Sequence, residues 1–211
     1  LTLIVGKKKL SPGDMGEDAE QTSAEEAEQI FAEDAVQASR NKAVPEAAAE
    51  AGRTGELKAF LKGKVIPLKE VNDGVFSEGV MGDGLAIIPE NEVLYAPADG
   101  EVAVLMQDSR HACGLKLDCG IELLLHIGID TVDMKGDGFE YLIEEGQRVK
   151  TGTPLIRFSR QKIKEAGHPD VTVCVITDGG DEKQFEFHTG IEAEEKVTVI
   201  ADFKEKGEEN G

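Results

Sequence analysis

The sequence predicts an all-β fold, a sandwich or barrel of short strands preceded by a flexible acidic linker. Two observations carry this reading. From about Val65 onward, short runs of Val, Ile and Leu alternate with Gly, Asp-Gly and Pro at spacings of roughly ten residues, the rhythm of strands joined by tight turns. Residues 11–59 have a different texture, rich in Ala and Glu, with only Ile30, Phe31 and Val36 as large apolar side chains in their middle. Such a stretch buries too little surface to offset its ordering entropy, so it is expected to be a linker with transient helix.

The elements follow in order along the chain. Leu85–Ile88 is an apolar run closed by Pro89, and Val93–Ala96 is closed by Pro97. The turn Asp99-Gly100 opens Glu101–Gln107, and Gly114–Leu117 and Ile121–Ile127 flank the turn at Asp118–Gly120. Pro154–Phe158 starts after the glycine turn of "VKTGT"; Val171–Ile176, Phe185–Phe187 and Val197–Ile200 complete the set of expected strands. One short helix is expected over Arg160–Ala166, ended by Gly167 and by Pro169 just beyond it. "YAPADGEV" and "IEEGQRVKTGTPLI" share a turn-glycine pattern with lipoyl and biotinyl carriers and other sandwich-hybrid folds.

The organisation read from this is residues 1–10, an acidic linker over 11–62, a folded unit over 63–204 and a disordered tail over 205–211. The first ten residues, "LTLIVGKKKL", place Lys7, Lys8 and Lys9 after an apolar stretch, the pattern expected where a transmembrane helix leaves the cytoplasmic face. They are too few to span a bilayer, which takes about 20 residues. A net charge of −19 argues against nucleic acid and anionic lipid as partners of the remainder. The three cysteines, Cys113, Cys119 and Cys174, show no C-x-x-C spacing and suit a reducing compartment. A cytoplasmic protein, tethered to the inner face of the cell membrane, is expected.

The chemistry concentrates on two histidines. If Ile121–Gly128 is extended, Ile121, Leu123, Leu125 and Ile127 share one face, while Glu122, Leu124, His126 and Gly128 share the other. His126 is then expected on a shallow, largely apolar surface, with Gly128 admitting a close backbone approach. His111 follows the strand Glu101–Gln107 after a turn through Asp108, Ser109 and Arg110, and antiparallel pairing could bring the two histidines together. His168 and His188 belong to no motif and are expected on the surface.

"FSEGVMGDGLAIIP", "YAPADGEV", "RHACGL", "CGIELLLHIGIDTVDMKGDGFE" and "EEGQRVKTGTPLIRF" occur in that order. Together, from about Gly63 to Lys204, the chain resembles the glucose-type IIA domain of the bacterial phosphoenolpyruvate-dependent sugar phosphotransferase system. The resemblance implies an antiparallel β-sandwich and a phosphocarrier that takes a phosphoryl group from phospho-HPr and passes it to a IIB-domain cysteine during sugar uptake. It further implies that His126 is the phosphoryl acceptor, that His111 stabilises the phosphoryl group, and that Ser109 keeps a hydroxyl where the family has Thr. Asp130 and Gly128 are implied to shape the site. HPr, a IIB domain and a membrane IIC permease domain in the same chain are the implied partners. The chain departs from the family pattern at Ser159 and at Thr172-Val173, both outside the histidine signature.

The residue chemistry agrees with a relay. Imidazole, with an ordinary pKa of about 6.5, is a nucleophile that is largely neutral near pH 7. No Lys or Arg occurs between Lys116 and Lys135, whereas kinases surround the phosphoryl group with cations; a carrier must release its cargo. Zinc on His111, His126 and Asp130 is disfavoured because the H-x-H spacing of sandwich-hybrid peptidases is missing. Lys135 lacks the flanking residues of a biotin or lipoate lysine. No cofactor is expected. The competing function is a regulatory IIA-like module fused to a sugar symporter and controlled by phosphorylation of His126.

Overall fold

The computed structural model describes residues 54–206. Expectations for residues 1–53 and 207–211 lie outside the described residues. Within them the chain is built from β1 (Thr54–Lys58), β2 (Gly63–Pro67), β3 (Gly84–Pro89), β4 (Val93–Tyr95), β5 (Gly100–Leu105), β6 (Ala112–Leu117) and β7 (Glu122–Ile127). There follow β8 (Phe139–Tyr141), β9 (Arg148–Val149), β10 (Pro154–Phe158), α1 (Arg160–Glu165), β11 (Thr172–Asp178), β12 (Lys183–Phe187), β13 (Glu192–Ala193) and β14 (Val199–Glu205).

Eight of these strands form one antiparallel sheet in the order β13-β2-β3-β11-β7-β6-β5-β9, and two three-stranded sheets have the orders β1-β14-β12 and β4-β10-β8. The alternation read in β7 is what joins them. Leu123, Leu125 and Ile127 enter a core with Leu57, Phe60, Leu94, Ile156, Phe158, Ile200 and Phe203, side chains that come from the two small sheets and their connections. This buried apolar layer between sheets is the interior of a sandwich. All six residues of β7 are buried, because the opposite face is covered as well. There Leu124 packs with Ile66, Leu68, Val71, Phe76, Ala86, Ala112, Ile129, Val173 and Val175. Val71 and Phe76 come from the connection between β2 and β3, so this second cover is a folded loop.

Two expected boundaries are corrected. The stretch read as linker up to residue 62 contributes β1, which pairs with β14 from Thr54↔Lys204 to Lys58↔Val199. Leu57, Ala59, Phe60 and Leu61 behind it are buried; four apolar side chains anchored in a core outweigh the acidic texture upstream. β14 also runs through Glu205, one residue into the expected tail. The expected helix is present as α1. Ser159 Oγ accepts from Lys162 N at its start, and its end is a Schellman turn: Gly167 has φ +88°, and His168 N donates to Ile163 O.

A paired-histidine site

His126 and His111 meet because β6 and β7 pair with Ala112 opposite His126. The amide of Ile127 donates to the His111 carbonyl at 2.9 Å, which ties the residue before β6 to the strand that carries His126. The two rings lie edge to face, with centroids 4.5 Å apart at 85°, and their Nε2 atoms are 3.0 Å apart. His126 Nδ1 is 2.9 Å from the carbonyl oxygen of Gly128.

These two contacts fix the protons of the neutral pair. A carbonyl only accepts, so His126 carries its proton on Nδ1 and its lone pair on Nε2. In the Nε2–Nε2 contact the donor is therefore His111, whose own lone pair lies on Nδ1. That nitrogen is buried without a hydrogen-bond partner. The arrangement presents one nucleophilic nitrogen, at His126 Nε2, with one N–H beside it.

Gly128 is needed for this geometry. Its φ is +76°, and a Cβ there would come within 2.4 Å of Thr131 Cγ2 and 2.9 Å of the Pro169 carbonyl. The turn is pinned by Gly128 N to Val171 O at 3.0 Å and by Thr131 Oγ1 donating to Ile127 O at 2.6 Å. Asp130 has left-handed backbone (φ 57°, ψ 19°) and starts the 3-10 turn Thr131–Met134. Ser109 is buried, but its hydroxyl lies 3.5 Å from Met106 Sδ and not on either imidazole.

The surface position expected for His126 is corrected: it is only 2% exposed, and His111 is fully buried. The Phe76 ring lies 5.1 Å from that of His126, and the Phe139 ring lies 6.4 Å from that of His111. Phe76 belongs to "FSEGVMGDG", a stretch singled out in the sequence for its motif and not for this cover. A partner reaching Nε2 must displace part of it. His168 sits at the end of α1, and His188 Nε2 pairs with Asp202 at 3.0 Å. Among the described residues, no cluster of three or more His, Cys, Asp or Glu side chains is arranged to hold a metal. No helix among them is long and apolar enough to cross a membrane.

Burial, with His126 beside it, pushes the His111 pKa down from 6.5 to about 2. His111 is therefore a neutral donor throughout the physiological range. The unfolded chain protonates His111 near 6.5 while the folded chain resists, so this group's contribution is complete above pH 6.5 and is lost on acidification. At about 1.4 kcal/mol per unit, acidification to about pH 5 should cost about 2 kcal/mol. Denaturant unfolding at both pH values checks this; the acid loss should shrink by that amount in His111→Gln, and an equal loss in both proteins would refute it.

The chain matches the family model described as phosphoenolpyruvate-dependent sugar phosphotransferase system, EIIA 1, over residues 55–181. It is 40% identical over 150 residues to a mannose-specific EIIBCA component of that system from Corynebacterium glutamicum, a match covering 71% of this chain and 22% of the relative. It is also 40% identical over 159 residues to a glucose-specific EIIBCA component from Corynebacterium glutamicum, covering 75% of this chain and 23% of the relative. The chain thus spans less than a quarter of these relatives' length. Glucose permease IIA from Mycoplasma capricolum has a similar structure, with a TM-score of 0.65 at 31% identity, covering 72% of this chain and 96% of that one.

Proposed function

Since the chain belongs to the EIIA 1 family of the phosphoenolpyruvate-dependent sugar phosphotransferase system, we propose that His126 Nε2 is its phosphoryl acceptor, loaded by phospho-HPr and discharged to a IIB-domain cysteine. The observation that carries the residue assignment is the hydrogen bond from His126 Nδ1 to the Gly128 carbonyl, which leaves the Nε2 lone pair as the nucleophile. That lone pair attacks phosphorus, the P–N bond of phospho-HPr breaks, and its electron pair returns to the departing imidazole. The proton on His126 Nδ1 stays in place. As the new bond forms, the ring gains positive charge, and the Nδ1–H···O=C bond becomes charge-assisted and stronger.

The second transfer reverses this. A cysteine thiolate attacks phosphorus, the N–P bond breaks, and neutral imidazole leaves. His111 Nε2–H, freed from the lone pair it meets in the resting site, is placed to donate to a phosphoryl oxygen. Being neutral, it offers a dipole and not a full charge, which suits a group that must be handed on. Ser109 is the hydroxyl nearest in sequence to His111 and is proposed to hydrogen-bond within the loaded site; Asp130 and Gly128 hold the turn that supplies the carbonyl.

The EIIBCA names of the relatives support reading this chain as the A part of a permease with B and C parts in the same polypeptide, on the cytoplasmic side of the membrane. The two relatives are named for different sugars at equal identity, and sugar choice is proposed to belong to the other parts. The folded unit is proposed to be the β-sandwich over 54–205.

Incubation with enzyme I, HPr and labelled phosphoenolpyruvate should place about one acid-labile, base-stable phosphate per chain, as an N-phosphoimidazole requires. Unlabelled protein would overturn the reading. Exposed Glu78, Asp83 and Asp133 lie in the loops bordering the pair, in a chain of net charge −19. HPr is proposed to dock a basic side there. Its affinity should fall several-fold from roughly 20 to 500 mM salt as this attraction is screened; an unchanged affinity would rule out the acidic rim.

A further inference from the structure

Tyr141 reaches from a small sheet into the turn that carries His111. Its backbone is held in β8, paired with β10 at Ile156, but its hydroxyl lies in the hairpin between β5 and β6. It accepts from Met106 N at 2.7 Å and donates to Ala112 O at 2.6 Å, with Met106 O at 3.2 Å. The last pair of the β5–β6 ladder is Leu105↔Cys113, so Met106 and Ala112 would be the next. In place of a direct N–H···O=C bond between them, the ladder holds an inserted phenol oxygen.

That insertion has consequences for the site. It spreads the hairpin at the point where the chain turns through Ser109 and Arg110, the latter with φ +54°, before reaching His111. Arg110 N closes the turn onto Met106 O at 2.8 Å. Ala112 is the residue paired with His126, and its neighbour His111 makes the Nε2 contact. Burial holds the phenol well above its ordinary pKa range, so it remains a donor.

We propose that Tyr141 is a positioning residue for phosphoryl transfer: its hydroxyl, wedged between Met106 and Ala112, sets where His111 Nε2–H points. The proposal rests on the phosphocarrier reading for its kinetics, though not for its geometry. Without the hydroxyl, Met106 N–H and Ala112 C=O can close on each other as an ordinary ladder pair, and His111 moves with them. The phenol hydroxyl bonds to Met106 and Ala112 and not to His126 or the Gly128 carbonyl that holds it.

The test uses Tyr141→Phe in the full chain, alone and combined with His111→Gln. Tyr141→Phe should still load at His126 from phospho-HPr, but discharge to the IIB cysteine should slow about tenfold, as expected when a transition-state donor is displaced. In the His111→Gln background the same change should alter discharge less than about twofold, because its target is gone. An unchanged discharge rate, or an equal slowing in both backgrounds, would overturn the proposal. Ring ¹⁵N shifts of unphosphorylated protein read the geometry independently of any transfer: those of His111 should change in Tyr141→Phe while His126 keeps its Nδ1–H pattern. Identical His111 shifts would also overturn it. A failure of the wild type to load would instead count against the phosphocarrier reading. Should the variant not fold, amide exchange in the wild type decides, since Met106 N–H must be protected; exchange at the rate of an exposed turn amide would refute the clamp.

Discussion

His126→Gln is expected to take up no phosphate from phospho-HPr. The glutamine amide nitrogen has its lone pair delocalised into the carbonyl and cannot attack phosphorus. Its oxygen is a poor nucleophile that would form an unstable imidate ester. Removing a covalent nucleophile elsewhere costs roughly a millionfold in rate, which here means labelling indistinguishable from background. The loss should not arise from unfolding. Leu123, Leu125 and Ile127 on the core side of β7 are untouched, and the substituted side chain sits under the loop bearing Phe76. A cooperative unfolding transition in the variant, alongside absent labelling, checks both parts. Full labelling of His126→Gln would sink the assignment.

His111→Gln behaves differently. Its side chain is neutral, as His111 is, and its amide offers a donor of similar reach, so the variant should still accept phosphate. Discharge suffers more. One preorganised donor aimed at developing charge is worth about 10²–10³ in rate, and a glutamine that fills the site imperfectly should lose about one to two of those decades. The edge-to-face ring contact with His126 is also lost. Separate measurement of loading from phospho-HPr and of discharge to a IIB domain distinguishes the steps. Equal slowing of both would mean that His111 only supports packing, and phosphate found on His111 would reverse the roles.

How much of this was legible in the sequence follows from what each feature depends on. The alternation in β7 is local, and it assigned Leu123, Leu125 and Ile127 to one face and Leu124 and His126 to the other; the first three lie in one packed cluster and Leu124 in the second, whose Phe76 also lies against His126. The helix was legible because Gly167 marks its end in the sequence itself. β1 was not, because Leu57, Phe60 and Leu61 follow directly on an Ala/Glu-rich stretch whose composition dominates any window placed over them. β8, β9 and β13 are two or three residues long, too short to show a period. The cover over His126 depends on how the β2–β3 connection folds back, a tertiary event that leaves no periodic trace. Tyr141 was missed for a related reason: it lies 29 residues from Ala112, and only the pairing of β8 with β10 brings it to the hairpin. The motif supplied the two histidines, whereas their proton arrangement required the Gly128 carbonyl to be seen.

The central claim is that the phosphoryl group is carried on Nε2 of His126, because Nδ1 is committed to the Gly128 carbonyl. The direct measurement is ¹⁵N-edited ³¹P NMR of the full chain, labelled at histidine, loaded by phospho-HPr and held at alkaline pH. A single phosphorus coupled to Nε2 of His126, with Nδ1 still carrying its proton, is the predicted result; phosphorus on Nδ1, or on another residue, would contradict it.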